Sequence, residues 1–359
     1  MISGALKQLK RCWTPGKSLP GAQHLASFLW RIEMKSSLCQ RNRLSAALLL
    51  AIASTLPTGV SFSQERHAPD DDAQAAKQRM KNFRVSGSPE AITSDGTHIW
   101  VAGRSGNSVT KLRATDGAKL GQFVVGERPT ALAYDGSNIW VANSLDDNVM
   151  KLRATDGARL GTVRVGKYPL ALLFDGSFIW AANSKSNTVT KLRPSDGAKL
   201  GDFAVGARPM ALAFDGEHIW VSNNDSHNVT KLRATDGEVV GAFAAGNSPI
   251  GIAFDGESIW VANFYSSSVT KLQAEGGAIV GTYAVEDGPA SVIYAKGCIW
   301  VANYGGASLS KIDLRDGDSR TIALDQSPSA VLCEGDNIWV ASSRGNSVTK
   351  IIQTQKPSR

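Results

Sequence analysis

The chain has 359 residues, 42% hydrophobic and 20% charged, with 39 Lys and Arg against 32 Asp and Glu, a formal net charge of +7. So large an apolar share excludes a disordered or fibrous chain, and the positive balance points to nucleic acid or an anionic membrane only if the folded part carries it. It does not: residues 1–63 hold eight basic residues and the single acid Glu33, which leaves 31 basic and 31 acidic residues in 64–359.

The first element in chain order is therefore a basic one. Arg41-Asn42-Arg43 precedes the apolar run Leu44–Ala53, and the small residues Ser61-Phe62-Ser63 follow before the polar Gln64. A basic region, a short apolar stretch and small residues read as a secretory signal peptide over 34–63, cut near Ser63. The run is shorter than the about 20 residues a membrane-spanning helix needs, so the mature form is expected to have no span. Met34-Lys35 is the natural start of such a signal, and residues 1–33 read as an over-extended start. The mature chain is expected outside the cytoplasm, in the periplasm or extracellular space, as a monomer with no nucleic-acid partner. Residues 64–80, with Asp70-Asp71-Asp72, read as a solvated leader to a domain over 81–359.

That domain is built on a repeat. Ile-Trp pairs place tryptophans at 100, 140, 180, 220, 260, 300 and 339, each with a proline eleven residues before it and a lysine eleven residues after. A period near 40 residues indicates a propeller or a solenoid, and the content of one unit decides between them. Pro129–Tyr134, Asn138–Asn143, Val149–Arg153 and Leu160–Val165 are four short β-rich runs parted by Asp-Gly turns and one polar loop. Asp-Gly supplies the positive φ of tight hairpins, and no window has a helical period. The fold class is all-β: a seven-bladed β-propeller with four antiparallel strands per blade. The chain runs out after the third strand of unit seven, and Asn82–Val85 precedes Pro89 as Phe123–Gly126 precedes Pro129. The N-terminal strand should thus close the last blade, leaving no open edge between first and last units.

Residues common to all seven units read as scaffold. Ala91, Ala131, Ala171, Ala211, Gly251, Ser291 and Ala330 are small where inner strands crowd the axis. The tryptophans should fill the gaps between blades, with the lysines lying on the indoles. Residues that differ between units are the functional candidates. On the face formed by the loops that enter each inner strand and those that join second to third strand, these are Arg104, Arg128, Tyr168, Lys185, Arg208, Asp225, Phe264, Tyr265, Tyr304 and Arg344. Arginines facing aromatics across a funnel would suit a ligand with an anionic and an apolar part.

Catalytic signals are thin. His98 and His218 point to the other end of the ring, His227 shares one loop with Asp225, and no metal-ligand spacing, nucleophile elbow or phosphate-binding glycine loop occurs. No catalytic residue, metal or cofactor is expected. Of four cysteines, Cys298 and Cys333 lie in the repeats at non-equivalent positions, as a disulfide or as two free buried thiols, the latter favoured.

The unit Pro209–Asn223, followed by Asn228-Val229-Thr230-Lys231-Leu232, resembles the YVTN-type propeller repeat over roughly 82–352. That resemblance implies a bacterial exported propeller. Ile-Trp-Val-Ala-Asn is also similar to the repeat of virginiamycin B lyases, which closes on an acid where this chain has Asn143, Asn183, Asn223, Asn263 and Asn303. The segment 115–121 resembles quinoprotein repeats, with Gly121 in place of their docking tryptophan. The function expected is a binding or interaction module for a protein or small-molecule ligand. The alternatives are a propeller enzyme (a lyase or a hydrolase with a divalent cation) and a cell-envelope structural protein.

Overall fold

The computed structural model describes residues 80–324 and 326–352. The segment read as an export signal and all of the expected leader except Met80 lie outside them. Seven four-stranded antiparallel sheets follow one another, and the inner strand of each packs on that of the next and, at the end, on the first. In blade two the strands are Pro129–Tyr134, Asn138–Asn143, Asn148–Arg153 and Arg159–Arg164. In blade seven, Pro328–Glu334, Asn337–Ser342 and Ser347–Ile352 are joined by Met80–Arg84, whose Phe83 pairs with Val348. The ring closes as the repeat requires.

Each inner strand begins with a bulge. Pro129 pairs with Asn143 and Ala131 with Ala142, so Thr130 has no partner in the ladder. A bulge of this kind turns the strand and re-aims the extra side chain. Counted around the ring, the unpaired residues are Glu90, Thr130, Leu170, Met210, Ile250 with Gly251, Ala290 and Ser329.

The core lies between blades. Trp100 and Val109 of blade one pack with Ile139, Val141 and Leu152 of blade two, and Trp339 and Val348 of blade seven pack with Ile99 and Leu112 of blade one. Six tryptophans are wholly buried, and Trp300 is 3% exposed. Phe123 leans on Trp100 with centroids 5.6 Å apart, and its ring also covers Gly157 of the next blade. Gly157 has φ 75°, and a β-carbon there would overlap Phe123, so glycine is required both for the turn and for the approach.

Two kinds of polar linkage hold the indoles. The seven lysine ammoniums sit 4.9–5.3 Å from the tryptophan centroids, as expected of the repeat. Five of them also reach forward: Lys111 Nζ, for example, donates to the carbonyls of Ala154 and Thr155, and Lys350 Nζ to those of Ala114 and Thr115. Lysine thus bridges one blade to the next, including across the closure. The second linkage is the turn aspartate. Trp100, Trp140, Trp180, Trp220 and Trp260 donate Nε1–H to Asp95, Asp135, Asp175, Asp215 and Asp255 at 2.6–2.9 Å. In blades six and seven Ala295 and Glu334 stand at that position, and the buried Nε1 of Trp339 has no partner among the described residues.

Candidate ligand-binding site

The two sets of loops that vary between blades meet on one face and are joined by main-chain hydrogen bonds. Ser144 N–H donates to Arg128 O at 3.0 Å, Ser184 N–H to Tyr168 O at 3.0 Å, and Asn224 N–H to Arg208 O at 2.9 Å. The residue before each inner-strand proline is clasped a second time by the preceding blade. Arg128 N–H donates to Asn107 Oδ1, Tyr168 N–H to Asp147 Oδ1, and Arg208 N–H to Asn187 Oδ1, at 2.8–3.0 Å. These two bonds hold Arg128, Tyr168 and Arg208 in the left-handed region, at φ 56°, 59° and 56°. Large side chains seldom occupy that region, and such positions cost of order 1–3 kcal/mol each. Blade six has Gly288 there, at φ 62°, covered by the ring of Phe264.

The ten candidate residues resolve into five groups. In blade one, Arg104 Nη1 lies 3.6 Å from the bulged Glu90, a partner the sequence reading left out. Across blades two and three, Arg128 and Lys185 lie on Tyr168, 5.3 Å and 4.5 Å from its centroid. In blade four, Arg208 approaches Asp225 at 3.4 Å, both more than half exposed. Phe264 and Tyr265 of blade five meet edge to face at 5.3 Å. Arg344 of blade seven lies on Tyr304 of blade six at 5.2 Å. The arrangement thus departs from arginines opposing aromatics across a funnel: Arg128 and Arg344 rest directly on tyrosines of the adjacent blade. Packing against the ring face holds a guanidinium without an anion, so these cations remain able to take one.

An open cavity of about 740 Å³ lies between blades three and four. Lys167, Tyr168, Leu170, Ser184, Lys185, Asn187, Ala207, Arg208 and Asp225 line it. Four of these were singled out from sequence. Lys167 was missed because only the residue touching each proline was weighed, and Leu170 because a bulge cannot be seen in the repeat. Ser184 is 5% exposed, and its hydroxyl has no partner among the described residues, whereas the equivalent Ser144 donates to Arg128 O at 3.0 Å.

No protein-family model matches the chain, and no curated protein does. Solved structures do. A catalytically inactive virginiamycin B lyase from Staphylococcus aureus, solved with quinupristin, is 14% identical, with a TM-score of 0.68 over 77% of this chain and 99% of that one. A streptogramin B lyase is 18% identical at TM-score 0.67, covering 76% of this chain and 96% of that one. The WD40 propeller domain of Doa1 is 12% identical at TM-score 0.67, with 77% and 96% covered. The likeness is one of fold.

The groups that would carry chemistry elsewhere are engaged structurally. His98 and His218 lie at the other end of the ring against Asp95 and Asp215, at 3.0 Å and 3.3 Å. His227 Nδ1 accepts the Ser248 N–H at 3.1 Å, the clasp that Asn107 and Asn187 make in blades one and three. An acceptor Nδ1 places the proton of the neutral ring on Nε2. Among the described residues no three His, Cys, Asp or Glu side chains gather as a metal site, and no helix is long and apolar enough to cross a membrane. Cys298 and Cys333 are free, and burial pushes both thiols up.

Proposed function

We propose that the mature chain is an exported binding module, periplasmic or extracellular and monomeric, with YVTN-type repeats and its ligand or partner on the loop face over blades two to four. The observation that carries this reading is the run of three bulky residues, Arg128, Tyr168 and Arg208, kept in the left-handed region by paired clasps beside an open cavity. Ser88, Ser248 and Gly288 share this backbone, and what is particular to blades two to four is that bulky side chains occupy it, a strain that gathers at binding sites. The neutral mature chain and the basic, apolar N-terminal segment support export.

Native mass spectrometry of the purified mature chain tests it. A bound species should be present on the wild type and absent after Arg128→Ala with Arg208→Ala. A species retained by that variant contradicts the assignment of the face.

The fold likeness to two lyases supports a second reading, a propeller enzyme acting at the same face with a divalent cation. Turnover abolished by a chelator would establish it. Co-sedimentation of the protein with cell wall, independent of Arg128 and Arg208, would instead establish a structural role in the envelope.

A further inference from the structure

We propose that the cavity between blades three and four binds a small organic dianion, a phosphate monoester or dicarboxylate carried on an apolar body, an inference that rests on the binding-module reading. Its volume of about 740 Å³ falls within the range of small-molecule sites. Its charged lining is Lys167, Lys185 and Arg208 against Asp225, an excess of two positive charges.

Those charges are free to be used. Lys185 lies over Tyr168 at 4.5 Å, and neither it nor Lys167 has a carboxylate partner among the described residues. Arg208 touches Asn224 Oδ1 at 3.3 Å and Asp225 at 3.4 Å. Contacts that long and that exposed contribute little, so a ligand oxyanion can replace them at small cost. Ser184 supplies a further donor at the wall: its hydroxyl has no partner among the described residues, while the matching hydroxyl of blade two is bonded.

The apolar half has its own surface. At the bulge where blades one and two carry Glu90 and Thr130, blade three carries Leu170, and the ring of Tyr168 stands beside it. Glu90 pairs with Arg104, and the Thr130 hydroxyl donates to Pro169 O at 2.9 Å. In blade three the bulge therefore offers an aliphatic wall rather than a polar one. A lining that combines cations with the aliphatic Leu170 and the Tyr168 ring selects a ligand with both parts, because either half alone leaves part of it unmatched.

Calorimetric titration of the mature chain with phenyl phosphate and with benzylsuccinate tests this, with inorganic phosphate and benzyl alcohol as the separate halves. One dianion at least should bind, and the tighter names the headgroup. Each half should bind at least about tenfold more weakly, a difference of about 1.4 kcal/mol. Affinity should fall as salt screens the lysines. Lys167→Ala with Lys185→Ala should lose about tenfold or more, and Ser184→Ala about fivefold with no change in melting temperature. Benzyl alcohol binding as tightly as the dianions, or affinity unchanged in the double lysine variant, would overturn the proposal. If neither dianion binds while a species lost on Arg128→Ala with Arg208→Ala still copurifies, the ligand class is wrong and the module reading stands. If nothing binds and nothing copurifies, both fall.

Discussion

Replacing Asp255 by alanine should destabilise the propeller far more than replacing its counterpart Glu334. Asp255 accepts Trp260 Nε1–H at 2.7 Å through one oxygen and the turn amides of Glu257 and Ser258, at 2.8 Å and 2.6 Å, through the other. Trp260 is wholly buried, so its orphaned N–H finds no water, and an unsatisfied buried donor costs about 1–3 kcal/mol. The turn amides can be hydrated, so each adds less, about 0.5 kcal/mol. The loss should total about 2–4 kcal/mol, a fall in melting temperature of about 4–8 °C for a domain of this size. Glu334→Ala is the internal control, because Trp339 Nε1 is already without a partner, and it should cost about 0.5 kcal/mol or less, within the range of surface changes. Urea melts followed by tryptophan fluorescence measure both. Equal losses in the two variants would refute the claim that the turn aspartates act on the indoles.

Four further outcomes follow from the same contacts. Asp95 is pushed up by burial, but hydrogen bonds from Trp100, Thr97 and His98 outweigh this and lower it from 3.8 to about 2. A carboxylate held below its unfolded value adds stability above that value and loses it as pH falls, so unfolding free energy should drop between about pH 4 and 2, and Asp95→Asn should flatten this part of the curve. Lys350→Met should cost about 1–3 kcal/mol in thermal melts by leaving Ala114 O and Thr115 O unpaired at the ring closure. Lys271→Met, with only its indole contact among the described residues, should cost about 0.5–1 kcal/mol. Ala307, at φ 45° where blades one, three and seven carry Asn, should gain about 1 kcal/mol in thermal melts on Ala307→Asn, a residue that tolerates that backbone.

The spacing of Pro89, Trp100 and Lys111 and their six repeats was enough to derive the blades, and Asn82–Val85 was enough to derive the closure. Periodic hydrophobic and turn residues dictate strands whatever surrounds them, which is why this level was legible. The lysine bridges were half legible: a partner eleven residues away in a hairpin can be inferred, but Ala154 O lies in the next blade and comes within reach only when the ring forms. The aspartate five residues before each tryptophan was visible in five units, yet the Asp-Gly turn explained it already and hid its second partner. The site was least legible. Arg128, Tyr168 and Arg208 could be chosen because they break the repeat, but nothing in an arginine or tyrosine codon signals a left-handed backbone imposed by Asn107, Asp147 and Asn187. Leu170 and Ser184 matter only through a bulge and through a hydroxyl left without a partner, and both are properties of packing.

The most direct test is a crystal structure of the protein grown with phenyl phosphate. The phosphate is expected between Lys185, Arg208 and the Ser184 hydroxyl, with the phenyl ring against Leu170 and Tyr168. Ligand density at the turn end of the ring, beside Asp95 and its counterparts, or a loop face left empty while the compound binds elsewhere, would contradict it.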